Sequence, residues 1–132
     1  MHDPSYDFSF SGLKTAVLRE VQKENVLTKQ QIANISYATQ DAVFDVLIKK
    51  TLHAAKEYKV SSIILAGGVS ANETLRYRIQ KQIEQNFSDI SFLAPGKDLC
   101  TDNGAMIAAA GFYHHEPIPW KDITADPELY FD

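Results

Sequence analysis

Two side chains, thirty positions apart, carry the chemistry this sequence could perform. They are Asn72, closing the stretch Ala66-Gly-Gly-Val-Ser-Ala-Asn72, and Asp102, inside Cys100-Thr-Asp-Asn-Gly-Ala-Met-Ile-Ala108. Gly67 and Gly68 let a backbone turn sharply and bring bare peptide groups against a ligand. Where such a turn runs into a helix, the first N–H groups of that helix have no partner inside it, so a nucleotide or another anion can be held there. An ordinary strand-to-helix turn with nothing bound has the same composition. Asp102 also reads two ways, as a carboxylate facing the same cleft as Asn72 or as the N-cap of the helix that follows it. Cys100 has no neighbour that marks it as a thiolate and reads as a small buried apolar residue. His114 and His115 are adjacent, and adjacent residues on a helix point about 100° apart, so they read as a solvated pair. His53 reads as structural or solvated rather than as a ligand.

The elements that must position these residues follow from periodicity. Ile63, Ile64 and Leu65 form a short apolar run suited to a buried parallel strand. Ser70, with Glu73 three residues on, is the expected N-cap and capping box of the next helix. Leu75, Ile79, Ile83 and Phe87 give that helix one apolar face. Ile90-Ser91-Phe92-Leu93 reads as a second strand, with Pro95-Gly96 as its exit. Strand, helix and strand imply a right-handed crossover with the strands parallel, so both carboxyl ends lie on the edge where open α/β sheets bind ligands. From that topology Asn72 and Asp102 should approach a common cleft. The small residues Ala105, Ala108, Ala109, Ala110 and Gly111 would let their helix pack closely on the sheet.

Upstream, residues 5–10 alternate polar and aromatic groups, as a short strand or an extended lead-in, and their small polar cluster reads either as facing a site or as a capped turn with two buried Phe anchors. A first helix is expected from Ser11 to about Asn25. Thr28 and Gln31 form a second capping-box signal, opening a helix to about Lys59 without Gly or Pro. At 1.5 Å per residue that helix is on the order of 45 Å long. Ile32, Ile35, Ala42, Val43, Val46 and Leu47 share one side of it, and Phe44, Ile48 and Leu52 widen the stripe, so it needs cover on more than one face. Two or three strands, against about five or six in a typical sheet, cannot supply that cover. The chain reads as part of a larger protein, or as one that borrows surface from a partner.

The totals agree with a globular α/β unit. The 132 residues are 45% hydrophobic and carry a net charge of −4, with a single cysteine, which suits a reducing cytoplasm. Residues 116–132 hold five of the acids against one lysine, which leaves the remainder neutral, without a nucleic-acid footprint of its own. No apolar run approaches the roughly 20 residues needed to span a bilayer, and Met1-His2-Asp3-Pro4 has neither the basic start nor the apolar core of a signal peptide.

Three stretches together resemble one family: Asp7-Phe-Ser-Phe-Ser-Gly-Leu-Lys-Thr-Ala16, Ala66 to Asn72 followed by Leu75-Arg76, and Cys100 to Ala108. They are similar to the carboxyl-terminal lobe of the TsaD family, also called Gcp or YgjD, the tRNA adenosine threonylcarbamoyltransferases once described as O-sialoglycoprotein endopeptidases. The resemblance runs from about residue 5 to 113. It implies the actin/Hsp70/sugar-kinase (ASKHA) fold, here as a short, mostly parallel sheet with long helices. Residues 1–115 would form the lobe and 116–132 an acidic, Pro-containing tail. It implies that Gly67, Gly68 and Asn72 bind an adenine nucleotide or threonylcarbamoyl-adenylate, and that Asp102 is a ligand to iron or zinc. The family's partner ligands are two histidines of a His-x-x-x-His helix in the amino-terminal lobe. His2, His53, His114 and His115 never stand four apart, so that lobe is expected to be missing here, leaving the chain inactive alone. The resemblance further implies tRNA as substrate, TsaB- and TsaE-type proteins as partners, a cytoplasmic setting and no membrane. No Ser, His and Asp are arranged for peptide hydrolysis. Two alternatives stay open: a nucleotide-binding or assembly module working through its long helix, homodimer included, and a phosphotransferase of the same fold.

Overall fold

The structure, a computed structural model, describes residues 5–114 and 116–125. Residues 5–10 form no strand, and Phe10 stands at the N-cap of α1 (Ser11–Val21) without a side-chain cap. Phe8 is 49% exposed, so the reading with two buried phenylalanine anchors does not hold. The helix ends at Val21 rather than near the expected Asn25, with the N–H of its C-cap Gln22 donating to the Leu18 carbonyl at 3.0 Å and residues 22–26 all exposed.

Thr28 then opens α2 (Lys29–Glu57) with the expected capping box. Its Oγ1 accepts the Gln31 backbone N–H at 3.2 Å, and Gln31 Oε1 accepts the Thr28 N–H at 2.9 Å. The helix ends without Gly or Pro. Lys59 takes a positive φ of 50°, and the Val60 N–H reaches back to the Ala55 carbonyl at 3.2 Å, which closes the last turn as a Schellman motif does. The buried side chains of α2 are Phe44, Ile48 and Ala55, with Val43, Leu47 and Leu52 packed beside them. The residues expected to widen the stripe are thus its centre, while Ile32, toward the other end, is exposed.

The sheet is the small part of the fold. Among the described residues, β1 (Ser62–Ile64) and β2 (Ser91–Leu93) pair in parallel, Ser62 with Ser91, Ile63 with Phe92 and Ile64 with Leu93. Between them runs α3 (Glu73–Asn86), whose Leu75, Ile79 and Ile83 are all buried at the four-residue spacing expected of its core face. Ile63 and Phe92 point into that core. Ile64 and Leu93, on the other face, are 70% and 52% exposed. Parallel sheets normally bury both faces, so this one is covered on a single side.

The chain divides into two compact units, Met1–Cys100 and Thr101–Asp132. Within the second, α4 (Gly104–Tyr113) is exposed along its whole length. Among the described residues no helix is long and apolar enough to cross a membrane.

Candidate functional site

Beyond β1 the pairing continues one step, with the Leu65 N–H donating to the Leu93 carbonyl at 2.9 Å, and then the backbone swings away. Gly67 sits at φ +83°, a conformation that a side chain disfavours. A single 3-10 turn, Gly68–Ala71, follows, closed by Ser70 N–H to the Gly67 carbonyl at 2.9 Å. A Cβ added at either glycine would meet nothing within 4 Å, so the space over the turn is open.

Asn72, not Ser70, caps the next helix. Its Oδ1 accepts the Leu75 N–H at 3.1 Å, and its Nδ2 donates to Gln40 Oε1 of α2 at 3.0 Å. The capping box expected of Ser70 and Glu73 does not form, because both side chains are engaged elsewhere. Ser70 is fully buried and donates its hydroxyl to Cys100 Sγ at 3.2 Å. Glu73 is exposed and pairs with Lys97, whose hydrogen bond holds the Glu73 carboxyl below its ordinary value.

Arg76 joins these pieces. Its Nε donates to the Ser70 carbonyl, and its Nη2 donates to the Pro95 carbonyl at 2.7 Å and to Cys100 Sγ at 3.1 Å. Cys100 is buried, as expected, and its thiol donates to the Gly96 carbonyl at 3.3 Å. One guanidinium therefore ties the turn after β1 to the loop after β2, at the carboxyl ends of both strands. The sequence displayed Arg76 within a motif but gave it no task, because its partners, two backbone carbonyls and the Cys100 sulfur, come within reach only on folding.

In the second unit, Asn103 caps α4, its Oδ1 accepting the Met106 N–H at 2.8 Å. Asp102 is not the cap of that helix and is exposed to solvent. Gly67, Gly68 and Asn72 thus share one turn of the first unit, and Asp102 belongs to the second. His53 lies exposed on α2, its ring 5.5 Å from that of Tyr6, and His114 closes α4 in solvent. His2 and His115 lie outside the described residues. Among the described residues, no three His, Cys, Asp or Glu side chains are grouped to hold a metal ion.

A separate apolar groove of about 350 Å³ lies between Tyr6, Phe8, Ala54, Tyr58, Val60 and Ile63. Lys50 fixes one wall, donating to the Ser5 and Asp7 carbonyls at 2.6 Å each. None of the candidate site residues lines it.

A family model described as "TsaD: tRNA N6-adenosine threonylcarbamoyltransferase" matches residues 1–109. The chain belongs to the TsaD family. Gly67, Gly68, Asn72 and Asp102 all fall inside the matched span. A TsaD relative from Thermosipho africanus is 47% identical over 131 residues, covering 98% of this chain and 37% of its own length. One from Staphylococcus haemolyticus is 45% identical over 129 residues, covering 95% and 35%, and one from Lactiplantibacillus plantarum is 41% identical over 133, covering 98% and 38%. Each bears the name tRNA N6-adenosine threonylcarbamoyltransferase. The chain thus spans little more than a third of the length of the TsaD relatives it matches. The ASKHA fold of the TsaD family accounts for the parallel β1–α3–β2 unit.

Proposed function

We propose that this chain supplies the carboxyl-terminal lobe of a tRNA N6-adenosine threonylcarbamoyltransferase, with the remaining lobe supplied by further sequence of the whole protein. In that reaction the exocyclic amine of an adenosine beside the anticodon attacks the carbonyl of threonylcarbamoyl-adenylate. A new N–C bond forms, the bond from that carbonyl to the phosphate oxygen breaks, AMP leaves and the amine loses a proton. Gly67, Gly68 and Asn72 hold the adenosine of the adenylate, the open space above Gly67 and Gly68 admitting it against bare backbone. The observation that carries this reading is the family match over residues 1–109, which takes in all three motif stretches. The tRNA, TsaB- and TsaE-type proteins and a cytoplasmic setting belong to the same proposal.

Asp102 is proposed as a ligand to iron or zinc. The described residues of this chain offer one such carboxylate rather than a grouped set, so they fit one position of a metal site and not the whole of it. A complete site would take its other ligands from the rest of the protein, and no step is derived through the metal. The metal would supply polarisation of the acyl carbonyl.

The test is Asp102→Asn and Asn72→Ala in the full-length protein. Because Asn103 caps α4, Asp102→Asn should leave the melting temperature of the metal-free protein unchanged. Metal content by elemental analysis, and transfer to tRNA, should each fall more than about tenfold. Asn72→Ala should weaken adenine-nucleotide affinity with the metal retained. Full metal occupancy and transfer in Asp102→Asn would remove Asp102 from the metal site. The 132-residue chain alone should give no transfer, and turnover by material free of full-length enzyme would overturn the single-lobe reading.

A further inference from the structure

We propose that Arg76 is a positioning residue for the adenosine turn, a role that rests on the reading of Gly67, Gly68 and Asn72 given above. The turn has little of its own to hold its shape. Its two glycines carry no side chains, both are exposed, and residues 68–71 make only a single 3-10 turn. A loop of this composition loses much conformational freedom when it closes on a ligand, and binding is weakened by that loss unless the loop is already ordered.

Arg76 supplies the order. Its half-buried guanidinium reaches back from the first turn of α3 to the Ser70 carbonyl, in the middle of the 3-10 turn, through Nε. Through Nη2 it reaches the Pro95 carbonyl at 2.7 Å and Cys100 Sγ at 3.1 Å, on the loop that leaves β2. The Ser70 hydroxyl donates to the same sulfur at 3.2 Å. Backbone and side chain of Ser70 are therefore both anchored to one cluster, and the turn is fixed relative to the end of β2 as well as β1. A guanidinium suits this task because its planar fork donates in separate directions from one rigid group. A lysine ammonium is a point donor on a flexible stem and cannot reproduce that set.

The assignment separates from a general contribution to stability by comparing Arg76→Lys and Arg76→Gln with Thr28→Ala in the full-length protein. Thr28→Ala removes the N-cap of α2 without touching the turn, so it lowers the melting temperature and leaves AMP affinity unchanged. Arg76→Lys and Arg76→Gln should each weaken AMP binding by calorimetry about tenfold, with faster amide exchange at residues 69–72. The loss in affinity should exceed any seen for Thr28→Ala at an equal fall in melting temperature. Arg76→Lys keeps the charge and the aliphatic stem, so it remains informative if Arg76→Gln fails to fold. Wild-type AMP affinity in a folded Arg76→Lys, or equal weakening in Thr28→Ala, would overturn the positioning role alone. Absence of AMP binding by the wild-type protein would overturn the adenosine reading and this role with it.

Discussion

At the scale of single residues, the cluster around Cys100 makes the sharpest demands. Ser70 is fully buried, and its hydroxyl has the Cys100 sulfur as its acceptor. Cys100→Ala removes that acceptor and one partner of Arg76, and should cost about 1–3 kcal/mol, the usual penalty for stranding a buried polar group. Cys100→Ser restores an acceptor and should cost less, and Ala at both 70 and 100 should recover part of the loss. Urea denaturation midpoints at constant slope check the order. The nearby Glu73–Lys97 pair behaves differently because it stands in solvent, with the side chains 75% and 59% exposed. The Lys97 hydrogen bond, and then its charge, hold the Glu73 carboxyl below 4.5. A depressed folded value means that the pair contributes above pH 4.5 and loses its contribution as pH falls through the folded value. NMR titration of the Glu73 side chain should show a midpoint under 4.5 in the wild type, returning upward in Lys97→Met. Screening keeps the effect on overall stability small.

At the scale of elements, two copies of one sequence pattern had opposite outcomes. Thr28 with Gln31 forms a capping box, and Ser70 with Glu73 does not. The first was legible because nothing competes for a threonine at the end of an exposed loop. The second was not, because Ser70 is drawn into the core by Cys100, and Asn72, two residues on, is free to take the helix. Asn103 likewise takes the cap of α4 in place of Asp102, although Asp102 stays exposed rather than being drawn into a core. What could be read was local or periodic: the long helix, the parallel strand pair, the stripe of Leu75, Ile79 and Ile83, and the glycine turn itself. What could not be read depends on distant partners. Asp41 and Asp45 stand one helical turn apart on α2, and both grip Arg78 of α3, at 2.6 and 2.5 Å. Nothing in the sequence assigns Arg78 rather than Arg76 to them. The end of α2 was legible to within two residues, near Lys59, but its means was not, since the stop is a lysine in the left-handed region rather than a glycine. Lys59→Gly relieves that conformation and should raise stability by about 0.5–1 kcal/mol, after the entropic cost of glycine in the unfolded chain. Thermal denaturation beside Lys59→Ala, which gains nothing, isolates the effect.

On the scale of the whole molecule, the exposed apolar surface is unusually well distributed. Leu18 is open on α1, Val26 on the loop after it, Ile32 and Tyr37 on α2, and Ile64 and Leu93 on the free face of the sheet. Where such residues adjoin, as Ile64 and Leu93 do across the strand pair, an uncovered apolar patch marks an interaction site or an aggregation hazard. We therefore expect the isolated chain to form a dimer or higher species, or to bind the remainder of the full-length protein added in trans. Light scattering that finds a well-folded monomer at roughly tens of micromolar, a range in which weak dimers persist, would contradict this. The parallel pairing of β1 with β2 has a further consequence during synthesis. Ser62 meets Ser91 only after all of α3 has been made, so the sheet has no hairpin from which to start. Helix α2 can form as soon as it leaves the ribosome, but Phe44, Ile48 and Ala55 then wait for Leu75, Ile79 and Ile83. At about 5–20 residues per second, the interval between completing α2 and completing α3 lasts on the order of one to six seconds. Throughout that interval the nascent chain presents a bare apolar helix, the form in which a chaperone would meet it.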